Sequence, residues 1–209
     1  MEKYDYKKHW DNAYNTASSN LGWYEDDTSS SIELIQKSDI SNNSIIFNAG
    51  AGSSLLIGNL LDIGYKNLIV NDISSRALSY LKSQIGETKN IKYIIDDLTN
   101  PTHLNDIDMV DMWHDRAVLH FFIDPLKQNV YFNLLKDKIK VGGYAVFSEF
   151  AIGGASKCCG LDILNYSDQM FKERLGKDFK LLESKNHLYK HPSNGNTRKY
   201  IYTMYKRIR

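Results

Sequence analysis

From about residue 45 onward, short apolar runs alternate with segments whose apolar residues recur every three to four positions. The runs are rich in β-branched and aromatic side chains. They predict strands over about 45–48, 67–71, 91–95, 108–113 and 144–149. Between them, one helix is predicted from about Ser53 to Ile63, stopping near Gly64. A second is capped by Ser74 or Ser75 and places Leu78, Leu81 and Ile85 on one face. A third has Asp124 as N-cap and Pro125 in its first turn, with Leu126, Val130, Leu134 and Ile139 as its expected buried face. Gly142-Gly143 punctuates the chain before the fifth strand, and a further helix covers roughly 166–176. The chain then reads as two alternating strands, about 179–188 and 198–205, joined through Pro192-Ser193-Asn194-Gly195-Asn196. In front of the first strand, residues roughly 5–15 form a helix with Trp10 and Tyr14 on one face. A loop with Trp23 and Tyr24 follows, and Ser30-Ser31-Ile32-Glu33 reads as a capping box. The order predicts an α/β fold: a doubly wound, seven-stranded Rossmann-like sheet closed by a C-terminal antiparallel hairpin. No linker or repeat divides it, so residues 1–209 read as one domain, with 1–40 a helical lid on a 41–209 core.

The first strand ends in Asn48-Ala49-Gly50-Ala51-Gly52, and the second ends in Asp72, 22 residues after Gly50 (72 − 50). Glycines after one strand let the backbone approach a ligand, and an acid after the next accepts hydrogen bonds from a ribose diol. The loop Gly50-Ala51-Gly52-Ser53-Ser54-Leu55 lacks the third glycine with which a dinucleotide fingerprint closes on a pyrophosphate. S-adenosylmethionine (SAM) has a ribose and an adenine but no phosphate, and fits better. Asp96-Asp97-Leu98 follows the third strand, where a carboxylate can accept from the adenine amino group and a backbone N–H can serve the ring. Gly50, Ala51, Gly52, Asp72, Ile73, Asp97 and Leu98 are thus the expected cofactor contacts, with Asp96 an alternative to Asp97.

Composition narrows the classes. At 42% hydrophobic and 24% charged, with three prolines, the chain suits one domain with a sizeable core. A net charge of +1, with Lys206-Arg207-Ile208-Arg209 the one basic cluster, gives no footprint for nucleic acid. No run has the length of a bilayer span, and Met1-Glu2-Lys3-Tyr4-Asp5-Tyr6 has no signal-peptide core, so a cytoplasmic protein with no membrane partner is expected. The two cysteines are adjacent, Cys158-Cys159, a strained disulfide and a poor metal site, and read as reduced thiols. His187 and His191 fall in strand and loop, not on one helix, so no metal is expected. No apolar stripe marks an interface, and oligomeric state is left open.

Nearly the whole chain resembles the class I SAM-dependent methyltransferases. Asn48-Ala49-Gly50-Ala51-Gly52 sits where they have their first motif, Asp72 at the second and Asp97 at the third, with Gly142-Gly143 at their usual turn before strand five. Asn48 departs from the acid normal at its position, which removes a charge facing the cofactor's ammonium group. Trp113-His114-Asp115-Arg116-Ala117 with His120, and Cys158-Cys159-Gly160-Leu161, look like a bacterial group of small methyltransferases without a defined substrate. Asp115-Arg116-Ala117 is also similar to thiopurine and other thiol S-methyltransferases, and the aromatic N-terminal segment to some protein-lysine methyltransferases.

The segment after strand four lies at the carboxyl edge of the sheet, where open α/β folds place ligands. His114, Asp115, Arg116 and His120 are polar groups in an otherwise apolar stretch. In one reading they form an internal network that satisfies buried polarity. In the other, Arg116, Asp115 and His120 are catalytic: Arg116 stabilises an acceptor thiolate, or His114 or His120 takes an acceptor proton. Trp23 is expected to lid the cofactor or to sit in the core, and His114 and Asn48 to border the cofactor. Cys158-Cys159-Gly160-Leu161 is expected in the acceptor pocket, with nothing nearby in sequence to make the cysteines nucleophiles. The expected activity is methyl transfer to a small molecule, slightly favouring a thiol or other soft nucleophile. A protein-lysine methyltransferase and a non-catalytic SAM-binding regulator are the alternatives.

Overall fold

The computed structural model describes residues 4–209. The first three residues of the expected lid and of the N-terminal segment read for a signal core lie outside it. Five parallel strands carry the centre: β1 (Ile45–Ala49), β2 (Asn67–Asp72), β3 (Ile91–Ile95), β4 (Val110–Arg116) and β5 (Ile139–Phe150). Two long antiparallel strands, β8 (Phe179–Lys190) and β9 (Thr197–Arg207), complete a seven-stranded sheet of order β3-β2-β1-β4-β5-β9-β8. A two-residue pair, β6 (Lys157–Cys158) and β7 (Leu161–Asp162), stands apart from it and was not expected from the sequence. Helices α1 (Tyr6–Ala13), α2 (Ser29–Lys37), α3 (Leu56–Asp62), α4 (Ser75–Ile85), α5 (Pro125–Lys138) and α6 (Asp168–Leu175) complete the fold. None of these helices is long and apolar enough to cross a membrane.

Alternation along the strands divides the core. Phe47, Trp113 and Phe147 pack on one face with Tyr131 and Phe132 of α5 and Phe171 of α6. Ile46, Met112 and Val146 pack on the other with residues of α2, α3 and α4. Because successive side chains point to opposite faces, each central strand serves both cores, which is why these strands read as nearly continuous apolar runs. Strand order reverses between β1 and β4, and that switch point opens a crevice at the carboxyl ends of the strands.

Three expectations are corrected. The buried face of α5 is Gln128, Tyr131, Phe132, Leu134, Leu135 and Lys138; Leu126 is 73% exposed, Val130 faces solvent, and Ile139 belongs to β5. Aromatic bulk at Tyr131 and Phe132 reaches the sheet and rotates the helix away from the aliphatic stripe. No capping box forms at Ser30: Thr28 is the N-cap, Asp27 accepts from the Ser29 amide, and Ser31 is buried. Strand β5 begins before Gly142-Gly143, not after it. Pairing jumps from Val110–Ile139 to Met112–Tyr144, so the glycines form a bulge within the strand, with Gly142 at φ +88°.

Candidate active site

Two adjoining cavities occupy the crevice. The larger, about 860 Å³ including space open to solvent, is lined by Asp72 and Ile73 at the end of β2, by Asp96 to Thr99 after β3, and by Arg116 to Val118 and His120 to Phe122 at and after the end of β4, among others. The smaller, about 550 Å³, is lined by Asn48 to Ala51, His114, Arg116 and the 21–25 segment. Trp23, Gly50 and Arg116 border both.

The glycine loop is built by backbone need. Gly50 has φ +51° and a Cβ there would lie 2.4 Å from Val118 Cγ2; Gly52 has φ +56°. Those conformations and contacts suit only a residue without a side chain. The Asp72 carboxylate locks the loop: Oδ2 accepts from the Gly52 amide at 2.8 Å, and Oδ1 accepts from the Ser74 amide at 2.8 Å. Burial pushes Asp72 up to about 6, against the backbone donors that lower it. Gly52 itself lines neither cavity, because Tyr14 lies over it; its role is to hold Asp72 in place.

The tandem acids divide their work. Asp96 is consumed by structure: its oxygens accept from the amides of Asp97, Thr102 and Leu104 and from the Thr102 hydroxyl. Asp97 commits Oδ1 to the amide and hydroxyl of Thr99 and borders the larger cavity with Leu98. Asn48 is 2% exposed, and neither amide atom has a partner among the described residues. Buried polar groups without partners are rare and costly. Those orphaned atoms beside a glycine cradle fit the polar head of an adenosyl ligand.

The residues after β4 separate into distinct roles. Asp115 is fully buried, accepts from the Tyr131 hydroxyl at 2.5 Å, and lines neither cavity. Burial and the neighbouring Glu149 push it well above the usual carboxylate range. Its expected catalytic contact with a ligand is therefore corrected: Asp115 reaches the site only through Glu149. His114 backs onto Ser31 at 3.2 Å, and burial drives it down to about 3, so it borders the smaller cavity as a neutral ring. Arg116 reaches Glu25 at 3.0 Å, out of line for a hydrogen bond, and donates to the Trp23 carbonyl at 3.0 Å. Its guanidinium lies 5.8 and 5.6 Å from the Tyr189 and Tyr200 ring centres. The charge expected to stabilise a thiolate is thus already matched by Glu25, and it clamps the 23–25 loop to the sheet.

His120 is fully buried, with Nδ1 2.5 Å from Glu149 Oε2. Glu149 also accepts from the amides of Val118, Leu119 and His120. His120 Nε2 has no well-aligned partner among the described residues, and the Cys158 thiol lies against it on the cavity wall. Despite the opposing effect of burial, Glu149 and Cys158 raise His120 above its ordinary value. Sequence reasoning missed Glu149. The available signal was a charged residue inside the apolar run Tyr144–Phe150.

The N-terminal segment forms the roof. Trp10 meets Trp23 and Phe121 edge to face at centroid distances of 5.5 and 4.8 Å, and Tyr14 meets Trp23 at 5.8 Å. Asp11 ties α1 to the start of α4, accepting from the Ser74 hydroxyl at 2.7 Å and the Arg76 amide.

No protein-family model and no curated protein matches the chain. Solved structures do. A SAM-dependent methyltransferase from Anabaena variabilis superposes with a TM-score of 0.77 at 15% identity, covering 98% of this chain and 96% of that one. The N-methyltransferase NodS from Bradyrhizobium japonicum, in complex with S-adenosyl-L-homocysteine, gives 0.71 at 12% identity over 97% and 98%. A structure described for the conversion of a disulfide bond into a thioacetal group during echinomycin biosynthesis gives 0.72 at 14% identity over 97% and 92%. The sheet order, the glycine loop and these superpositions together give the chain the fold of the class I SAM-dependent methyltransferases.

Proposed function

We propose that the protein is a SAM-dependent methyltransferase acting on a small acceptor, with a thiol or other soft nucleophile favoured. The observation that carries this reading is the corner formed by Gly50, Gly52, Asp72 and the orphaned Asn48 amide. Bound there, SAM would supply an electrophilic methyl group on a sulfonium. Asp72 would take the ribose hydroxyls, Asp97 and Leu98 the adenine edge, and Asn48 with the Gly50-Ala51 backbone the methionine end. Trp23, Ile73 and His114 would fill in around these contacts.

Methyl transfer is an in-line displacement, so the protein's part is to align two partners and exclude water. The roof of Tyr6, Trp10, Tyr14 and Trp23 supports that part, and it favours a small acceptor over a protein lysine, which needs an open groove. His120, backed by Glu149 and lining the larger cavity, would move a proton at the acceptor. Arg116 positions the roof through Glu25 and Trp23. A reducing cytoplasm, in which both cysteines stay as thiols, suits this reading.

Calorimetry with SAM, followed by an acceptor screen including hydrogen sulfide, alkyl thiols, amines and lysine peptides, tests it. Asp72→Ala is expected to weaken SAM binding about 100-fold, the loss of two hydrogen bonds to a charged group. Binding without turnover on any acceptor would favour a regulator. Tight NAD binding with no SAM binding would overturn the reading.

A further inference from the structure

One cluster, which reaches the larger cavity through His120 and Cys158, is not used by the nucleoside corner. Cys158 and Cys159 are free thiols with their sulfurs 3.5 Å apart. Cys158 ends β6 opposite Leu161 of β7, and the two residues between them, Cys159 and Gly160, have φ +53° and +79°. That is a two-residue hairpin turn of the type that favours Asn-Gly, with a cysteine where asparagine is usual. A side chain in the left-handed region is disfavoured by about 1 kcal/mol or more, so this turn holds its second thiol beside the first against local preference. The second observation is on the other side of Cys158: the buried Nε2 of His120, which has no well-aligned partner among the described residues and lies against the Cys158 thiol, while its Nδ1 is held by Glu149.

The separation argues for what the pair binds. A disulfide needs its sulfurs about 2 Å apart, and closing that bond between neighbouring residues strains the turn. One soft atom bridging both sulfurs lets them stay near their present distance. Among the described residues no three His, Cys, Asp or Glu side chains are grouped to hold a metal ion. A centre that needs two thiolates and keeps a ligand of its own is therefore the better match. We propose that Cys158 and Cys159, with His120 beside them as the proton donor, form a capture site for a thiophilic trivalent metalloid hydroxide of the arsenous acid class. The further step, that this class is the methyl acceptor of the cavity, rests on the methyltransferase reading and names its soft nucleophile.

The capture balances without an outside oxidant or reductant. The Cys158 thiolate forms a sulfur–metalloid bond as one metalloid–oxygen bond breaks, and the departing hydroxide takes the proton from His120 Nε2 to leave as water. The Cys159 thiol forms the second bond, and its own proton leaves with the second hydroxide. One hydroxide stays on the metalloid, its oxidation state is unchanged by capture, and it keeps a lone pair. In the methyl step that lone pair forms the carbon–metalloid bond as the carbon–sulfur bond of the sulfonium breaks. S-adenosylhomocysteine leaves, and the metalloid passes from the trivalent to the pentavalent state with SAM as the two-electron acceptor. The adjacent thiol and burial keep the proton on Cys159, while the Cys159 hydrogen bond and His120 hold Cys158 below the ordinary thiol range, which divides the two roles as the step requires.

The test uses the full-length protein and arsenite as the probe, reading free thiols by reaction with a chromogenic disulfide and binding by intact mass. One equivalent of arsenite is expected to protect both thiols and to add one arsenic per chain. Cys159→Ser, checked for folding by circular dichroism, is expected to weaken arsenite binding about 100-fold through loss of chelation. His120→Gln is expected to slow alkylation of Cys158 at neutral pH. Thiols that react at unchanged rates in arsenite, or a Cys159→Ser protein that binds as tightly, would overturn the capture site. Calorimetry with SAM on the same sample separates the two readings. SAM binding with unprotected thiols sinks the capture site alone, and protected thiols without SAM binding sink the methyltransferase reading alone. Labelled methyl from SAM appearing on arsenic supports the acceptor assignment, and chelated arsenite that only blocks turnover overturns it.

Discussion

Arg116 and Glu25 face each other at 3.0 Å with their side chains only 10% and 8% exposed, a buried ion pair joining β4 to the loop that roofs the cavities. Burial alone would push the Glu25 carboxyl up, and the guanidinium opposes that shift. Removing one partner strands the other charge away from water. Arg116→Met is therefore expected to destabilise the fold by about 3 kcal/mol, and Arg116→Met with Glu25→Leu to recover most of it. Urea unfolding of the two variants decides. Equal stability of the single and double variants would show that the pair is not a clamp.

Tyr14 and Gly52 support a second prediction. A Cβ at Gly52 would lie 2.1 Å from the Tyr14 hydroxyl oxygen at a φ of +56°. Gly52→Ala is expected to displace Tyr14 and loosen the Asp72 lock, lowering SAM affinity at least tenfold, since a strained turn of this kind stores about 1–3 kcal/mol. Adding Tyr14→Phe should return part of that loss by removing the clashing oxygen. Calorimetry on both proteins checks the pair, and a Gly52→Ala protein with unchanged affinity contradicts it.

Asp72 carries a pH dependence whose sign follows from its burial. Its pKa in the folded chain is raised to about 6, above the ordinary 3.8. Between those values the folded chain holds a proton that the unfolded chain does not, so this group favours folding more as pH falls through about 6. The neutral acid accepts hydrogen bonds from ribose poorly, so SAM affinity should fall over the same interval. Titrations at pH 5 and pH 8, about a unit or more either side of that value, would reveal it. Equal affinity at both would remove Asp72 from the ribose contact.

Asn48 offers a gain of function. Its amide has no partner among the described residues and borders the smaller cavity with His114 and Arg116. Asn48→Asp restores the acid expected at this position from the sequence resemblance, where the proposed pose puts the cofactor's ammonium group. A charge-assisted contact is worth about 1.5 kcal/mol or more, so SAM binding is expected to tighten roughly tenfold. Weaker binding would place the ammonium elsewhere.

The nucleoside corner was legible because its parts are local. Gly50 and Gly52 announce a turn, Asp72 ends the next strand, and both follow from the order of elements. Asp96 and Asp97 were not separable in sequence, since adjacent identical residues differ only in which amides the following turn presents. The buried face of α5 was misjudged because aliphatic spacing carried no information about where Tyr131 and Phe132 would reach.

By itself the sequence determined the alternation of strands and helices and the glycine cradle after the first strand. Periodicity and glycine act over a few residues, so they survive without a fold. Only the tertiary structure brought Glu149 of β5, His120 of the loop after β4 and Cys158 of the short hairpin into line, and only it turned Arg116 from a free charge into half of an ion pair. Those relationships depend on which elements pack side by side. Packing, through burial and the exclusion of water, sets the charge a side chain holds.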